Sequence, residues 1–178
     1  MILTRRRLIA ASLLPLLPKV SLAQTPACGA PTEPETAGPF FKTDSPLRTS
    51  LREADAKTTL WVSGRVLGSG CKPIANAKLD FWHADEHGLY SSGKTYRYRG
   101  HQFTDAQGRF RLETVRPAEY PGRTRHIHVK VQPPGGRTLT TQLYFPGEGL
   151  NRVDPLYRKD LEMALENGER GSFDFVVA

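Results

Sequence analysis

Two histidines one residue apart, His126 and His128, lie in the most chemically dense stretch of the chain, Y-P-G-R-T-R-H-I-H-V-K from Tyr120 to Lys130. In an extended strand successive side chains point to opposite faces. His126 and His128 therefore share one face, about 6–7 Å apart, while Ile127, Val129 and Val131 line the other. Such a pair can chelate one metal ion against an apolar back, and its chemistry depends on what joins it. A hydrolytic zinc site adds a third histidine or a carboxylate, for which Glu113, Glu119 and His101 are the nearest candidates. A ferric ion prefers hard anionic oxygens; two phenolates and two imidazoles would largely neutralise it and leave a position open. Tyr120 and Tyr90, both in loops beside strands, could supply the phenolates. Tyr96 and Tyr98 compete with Tyr90 by proximity, and each tyrosine taken singly reads as an amphipathic residue at a sandwich rim. An H-x-H pair alone is also compatible with ordinary strand histidines.

The elements around this pair read as short strands between turn signals. Thr58 to Leu67 alternates as a strand, G-S-G-C-K-P turns the chain, and Ala75 to Ala84 contains a second strand ending in F-W-H-A. A polar, glycine-containing loop then carries Tyr90. Gly100 to Thr104 and Arg109 to Val115 flank the hairpin-type turn T-D-A-Q-G, and a proline-containing loop delivers Tyr120. After the histidine strand, P-P-G-G turns into a strand over Thr138 to Phe145 that carries Gln142. Asp154-Pro155 reads as an N-cap with proline at the first helical position, and Leu156, Leu161 and Leu165 support a short helix stopped by Asn167-Gly168. Phe173 to Val177 closes the chain as a strand. Six or seven short strands and one late helix predict an all-β fold: a single-domain β-sandwich with long loops and one short C-terminal helix.

The chain has 178 residues, enough for one domain with a real core. Residues 1–23 read as an export signal peptide: a basic start, a short apolar run, and a small-x-small ending at Ala23, with Arg5 and Arg6 suggesting twin-arginine export and an ordinary secretory signal with a basic head as the alternative. The run is too short for a membrane anchor, so the expected location is exported, periplasmic or secreted. The formal net charge is +7, and cleavage before Gln24 would leave +3. A mildly basic surface without a Lys/Arg run predicts no nucleic-acid partner. Residues 24–57 form an arm rich in Pro, Thr, Glu and Gly whose apolar cluster, T-A-G-P-F-F, is expected to dock on the main domain, 58–178. Both cysteines, Cys28 and Cys71, lie in the exported part, where a disulfide between them is the default and two free thiols the alternative.

The run F-W-H-A-D-E-H-G-L-Y-S, then Y-P-G-R-T-R-H-I-H-V-K-V, then T-T-Q-L-Y-F resembles the intradiol ring-cleavage dioxygenases, non-haem Fe(III) enzymes that open catechols. The resemblance covers most of Thr32 to Leu165 and includes the arm motif T-x-x-x-x-A-G-P-F. The size is similar to a protocatechuate dioxygenase subunit, and the two cysteines resemble those of an exported subgroup. The resemblance implies one Fe(III) per chain, held by Tyr90, Tyr120, His126 and His128, with Tyr90 preferred over Tyr96 and Tyr98 because it fills the W-H-A-D-x-x-G-x-Y slot. It implies catalytic roles for Arg123 as charge stabiliser, Gln142 as substrate orienter and Tyr120 as the ligand that leaves and accepts a proton. Pro39 and Phe40, with Phe41, resemble the arm that walls the active site. Arg125 departs from the pattern, that position being commonly small in the family; it either biases the pocket toward anions or faces solvent. His83, His87 and His101 read as packing or surface residues, and Trp61 and Trp82 as core.

The implied reaction is cleavage of a catechol-type substrate between its two hydroxyls by O2, to a cis,cis-muconate-type diacid. The implied partners are that substrate and O2, and the complete ligand set lets the chain act alone or as a homo-oligomer. The alternatives are a metal-free β-sandwich binding module and a zinc hydrolase using His126 and His128.

Overall fold

The computed structural model describes residues 28–177. The expected export signal, with its cleavage point and twin arginine, lies outside the described residues. Among the described residues nine strands form: β1 Leu60–Leu67, β2 Lys78–Trp82, β3 Arg99–Phe103, β4 Arg109–Thr114, β5 His126–Gln132, β6 Leu139–Tyr144, β7 Ala164–Glu166, β8 Arg170–Ser172 and β9 Phe175–Val176. One sheet runs β4-β1-β8-β7 with β9 also on β1, and the other runs β3-β2-β5-β6. The two inner faces meet in one apolar core that includes Leu60, Val62, Leu79, Phe81, Leu112, Ile127, Val129 and Leu143. The expected sandwich is therefore present, and β5 divides as its alternation requires: Ile127, Val129 and Val131 are 0% exposed within the core, with His126 and His128 on the opposite face.

The expected C-terminal helix is absent from the described residues. Its place is taken by two 3-10 turns, Gly149–Arg152 and Lys159–Leu161, and Leu165 lies in β7. Asp154 does not cap a helix. Its carboxylate accepts the Leu156 N–H at 2.9 Å and the Thr124 N–H at 2.8 Å, turning the chain back toward β5. Asn167 and Gly168 have φ of 49° and 72° and form a hairpin turn between β7 and β8, with Glu169 N–H donating to Glu166 O at 3.1 Å. Asn-Gly with both φ positive matches the right-handed twist of paired strands.

The arm docks as expected. Its first part is joined to the domain by the Cys28–Cys71 disulfide. Thr32 N–H donates to Val176 O at 2.9 Å, Glu35 N–H to Thr140 O at 2.8 Å, and Thr141 Oγ1 to Glu33 O at 2.8 Å. Further along, Arg48 and Leu51 donate to His101 O on β3 and Glu113 O on β4, so the arm also covers an edge of each sheet. Trp82 is buried as expected, but Trp61 lies on the outer face of β1 under the Arg111 guanidinium, 4.2 Å from its ring centroid. Among the described residues no helix is long and apolar enough to cross a membrane.

Candidate metal centre

The four-strand sheet presents a row of side chains on its outer face. Antiparallel pairing sets Arg99 opposite Trp82, Trp82 opposite His128 and His128 opposite Gln142, with His126 opposite Tyr144 beside them. Directly opposed residues share a face, so this register assembles the floor of the site. Trp82 stacks on His128 with 1° between the planes and centroids 4.8 Å apart, fixing the imidazole.

Two loops bring the tyrosines to this floor. In the Tyr90 loop, Asp85 Oδ1 accepts the N–H groups of His87 and Leu89 at 2.8 and 2.9 Å, while Asp85 O accepts that of Ala118 at 2.9 Å. Gly88 has φ of +79°, and a Cβ there would lie 2.2 Å from Glu119 O. Glycine thus allows the Tyr90 loop to press against the backbone just before Tyr120. Tyr120-Pro121-Gly122-Arg123 is a type II turn: proline follows the first residue, Gly122 has φ of 78°, and Arg123 N–H donates to Tyr120 O at 2.8 Å. That turn sets Tyr120 and Arg123 relative to each other.

The donor atoms converge. His126 Nδ1 lies 2.6 Å from Thr124 O, which can only accept, so the proton sits on Nδ1 and the Nε2 lone pair is free. That Nε2 is 3.2 Å from His128 Nε2 and 3.3 Å from Tyr90 Oη. The Tyr120 ring meets the Tyr90 ring edge-on at 5.7 Å. Burial lowers the His126 pKa to about 4, against the pull of the Thr124 carbonyl. Burial and the neighbouring His126 and Arg123 push His128 well below the ordinary range. Among the described residues no group makes a well-formed hydrogen bond to buried His128 Nδ1, while the Thr36 backbone lies near enough to favour a proton on that ring. Burial raises the Tyr90 pKa, opposed by Arg123 and Arg99. Two imidazoles kept neutral by burial and facing each other, with the Tyr90 hydroxyl beside them and the Tyr120 ring against Tyr90, make a nitrogen and oxygen donor set that fits a hard trivalent ion. Zinc hydrolysis is poorly served: among the described residues no three of His, Cys, Asp and Glu gather into a metal-binding set. His101 is held by Ser45 O at 2.7 Å, and Glu113 lies in the other sheet.

Arg123 and Gln142 form one hydrogen-bonded unit beside these donors. Arg123 Nε donates to both Asp154 oxygens at 3.0 and 2.9 Å, and Nη2 donates to Gln142 Oε1 at 2.7 Å. Gln142 is fully buried; its Oε1 also accepts from Tyr144 Oη at 3.2 Å, and its Nε2 donates to Thr36 O at 3.0 Å. Both ends of Gln142 are thus hydrogen-bonded within the protein, linking Arg123 and Tyr144 to the Thr36 carbonyl of the arm.

Phe40 stacks on Tyr90 at 4.2 Å and 10°, and meets Tyr120 edge-on at 5.4 Å, placing the expected wall beside both phenols. Exposed Pro39 precedes it, and Phe41 packs edge-on against Trp82 at 4.9 Å. Arg125 neither faces open solvent nor joins the donors. It pairs with Glu148 at 3.2 Å and donates to Pro117 O. His83 is a packing residue bonded to Thr114 Oγ1 at 2.6 Å and Ala84 O at 2.7 Å, and His87 is exposed. The sequence reading missed Asp154 and Tyr144, because an Asp-Pro pair and a strand tyrosine carry no signal of a partner 20 or more residues away. A groove of about 800 Å³ lined by Trp61, Phe103 and Arg111 contains none of these residues.

Comparison with known proteins agrees with this geometry. A family described as "Dioxygenase" matches residues 36–169. Among curated relatives, a catechol 1,2-dioxygenase from Acinetobacter lwoffii is 32% identical over 157 residues, 74% of this chain and 55% of the relative. The protocatechuate 3,4-dioxygenase beta chain of Burkholderia cepacia is 34% identical over 120 residues, 58% of this chain and 51% of the relative. The chain thus spans about half the length of the curated relatives it matches. Among solved structures, the dioxygenase domain of a dioxygenase carbohydrate-binding protein fusion from Streptomyces sp. SirexAA-E aligns with TM-score 0.79 and 51% identity, covering 83% of this chain and 98% of that domain. The register, the converging histidines and tyrosines, and these matches place the chain in the intradiol ring-cleavage dioxygenase family.

Proposed function

We propose that this chain is an exported Fe(III) enzyme that cleaves a catechol-type ring between its hydroxyls with O2, giving a cis,cis-muconate-type diacid. The observation that carries this reading is the convergence of His126 Nε2 and His128 Nε2 at 3.2 Å, with Tyr90 Oη 3.3 Å from the former. Tyr90, Tyr120, His126 and His128 would hold one Fe(III), which supplies a Lewis acid for the electron-rich diol. The protein's own groups do the rest. Buried His126 and His128 stay neutral and keep their lone pairs available. Tyr120 lies on a turn outside the sheet and, as phenolate, would accept a diol proton while Tyr90 remains under Phe40. Asp154, Gln142 and Tyr144 take Arg123 Nε and Nη2. Among the described residues none accepts from Nη1, which remains to stabilise negative charge developing on the substrate. Phe40 excludes water from the phenol side.

The test is iron-loaded protein examined for a wine-red tyrosinate band that shifts on adding catechol. Oxygen uptake is then followed over catechol, hydroxyquinol, protocatechuate and larger plant-derived catechols, with products identified. A colourless protein with full iron, or ring opening outside the diol, would overturn the proposal.

A further inference from the structure

Arg99 ends the cross-strand row that runs through Trp82, His128 and Gln142, and its guanidinium is not among the metal donors or the Arg123–Gln142 unit. It is 2% exposed. Arginine is seldom buried so deeply without a carboxylate, and among the described residues no carboxylate pairs with it. The acid in the adjacent row, Asp80, is taken by Ser45 Oγ at 2.9 Å and lies 3.9 Å from Lys78 Nζ. The Arg99 guanidinium instead reaches two separate segments. Nε donates to Ser91 Oγ at 3.1 Å and Nη2 to Ser91 O at 3.4 Å, one residue beyond Tyr90; Nη1 donates to Phe40 O at 2.5 Å. Its Cζ lies 6.0 Å from the centre of the Tyr90 ring. The arm and the Tyr90 loop meet again nearby, where Lys42 Nζ donates to Gly93 O at 3.0 Å and Thr95 O at 2.9 Å.

We propose that Arg99 is a positioning residue: its fork ties the backbone of Phe40 to Ser91 and so sets how the arm's aromatic wall meets the Tyr90 ligand. The proposal rests on the reading of the site given above. Two features favour this role over mere packing. One side chain holds the stacked Phe40–Tyr90 pair at the Phe40 carbonyl and at Ser91, the residue next to Tyr90, so loss of the fork loosens both segments at once. The fork's planar spread of donors suits two acceptors on different segments, whereas a lysine presents a single point charge and cannot span them. The charge also sits beside the phenol that becomes anionic when it ligates; among the described residues no carboxylate forms an ion pair with it, and Asp80 in the adjacent row acts on it only from a distance.

The test is Arg99→Lys in the full chain, read in two ways. In iron-free protein, backbone hydrogen exchange should rise about tenfold or more both at residues 38–42 and at 90–95, with the β5 and β6 segments unchanged. In iron-loaded protein, the tyrosinate band should move at equal iron content and kcat should fall about 10- to 100-fold, the equivalent of one or two charge-assisted hydrogen bonds. Unchanged exchange in both segments, or loosening of only one, overturns the bridge, and an unmoved band overturns the positioning of Tyr90. If Arg99→Lys does not fold, Ser91→Ala removes the acceptor of Nε. Faster exchange at 38–42, across the bridge from that substitution, supports the proposal, and wild-type exchange there overturns it. The exchange readout needs neither iron nor turnover. A wild-type chain that opens no catechol, while Arg99→Lys loosens both segments, supports the bridge and removes the reaction it serves.

Discussion

Replacing Asp154 by asparagine keeps the shape of the side chain and removes its charge. Its side chain is 0% exposed and that of Arg123 16%, so the pair behaves as a buried one. The carboxylate accepts Arg123 Nε on both oxygens and the N–H groups of Thr124 and Leu156. Removing one partner of a buried pair typically costs about 3–5 kcal/mol, because the other charge is left uncompensated. Asparagine can still accept through its one oxygen, and Arg123 keeps Gln142. The lower end, about 3 kcal/mol, is therefore expected, corresponding to a fall in Tm of about 6–12 °C for a domain of about 150 residues. The assay is urea unfolding of wild type, Asp154→Asn, Arg123→Met and the double variant. The double variant should lose less than the sum of the singles by about 1–3 kcal/mol, since it buries neither lone charge. Asp154→Asn should keep the iron-dependent colour and lose roughly 100-fold in kcat, as Arg123 loses its set. A destabilisation under about 0.5 kcal/mol, or strict additivity in the cycle, would refute the reasoning.

His83 gives a pH prediction. Burial lowers its pKa to about 4, against the pull of the Ala84 carbonyl, while an unfolded histidine titrates near about 6.5. Between these values the unfolded chain binds a proton that the folded chain refuses, so stability falls as the pH falls through that window, by about 2 kcal/mol at pH ~5 for this group. Urea unfolding of iron-free protein at pH ~7.5 and ~5 should show this loss in wild type and a smaller one in His83→Gln; parallel losses contradict it. His128→Ala should abolish iron retention, measured as iron per chain after dialysis against a chelator, and stoichiometric iron would argue against the ligand set. Cys71→Ser opens a loop with a sequence separation of 43. Chain entropy then predicts a loss of up to about 4 kcal/mol, and an unchanged urea midpoint would refute it.

The sandwich and the histidine strand were legible because period-2 alternation and turn residues are local signals. Ile127, Val129 and Val131 could be assigned to the core, and the Tyr120–Arg123 stretch to a loop, from their neighbours alone. The four candidate donors were singled out by family motifs, and the structure brings them close together; spacing alone left zinc, iron and ordinary strand histidines open. Asp154 was misread because Asp-Pro followed by spaced leucines mimics a helix start, while its actual partners are reached only when the chain folds back onto β5. Asn167-Gly168 was misread for a related reason: the pair ends helices and makes hairpins, and only pairing of β7 with β8 decides between them. The bond from the Gln142 amide to the Thr36 carbonyl had no local signal, since the two residues are 106 apart in sequence.

The hydrogen bonds between Thr32 and Val176 are reciprocal: the backbone N–H of Thr32 donates to Val176 O, and Val176 N–H donates to Thr32 Oγ1 at 2.8 Å. The segment that leads to Phe40 is among the first of the described residues to leave the ribosome, and the strand that anchors it is among the last. During synthesis the arm has neither Val176 nor β6 to lie on, so the aromatic wall is made early and seated late. Closing contacts of such long sequence separation are slow to form. His126 and His128 on β5 can therefore come together before their cover is in place, so under the proposed function the cleft would be open to a metal ion from solution for an interval.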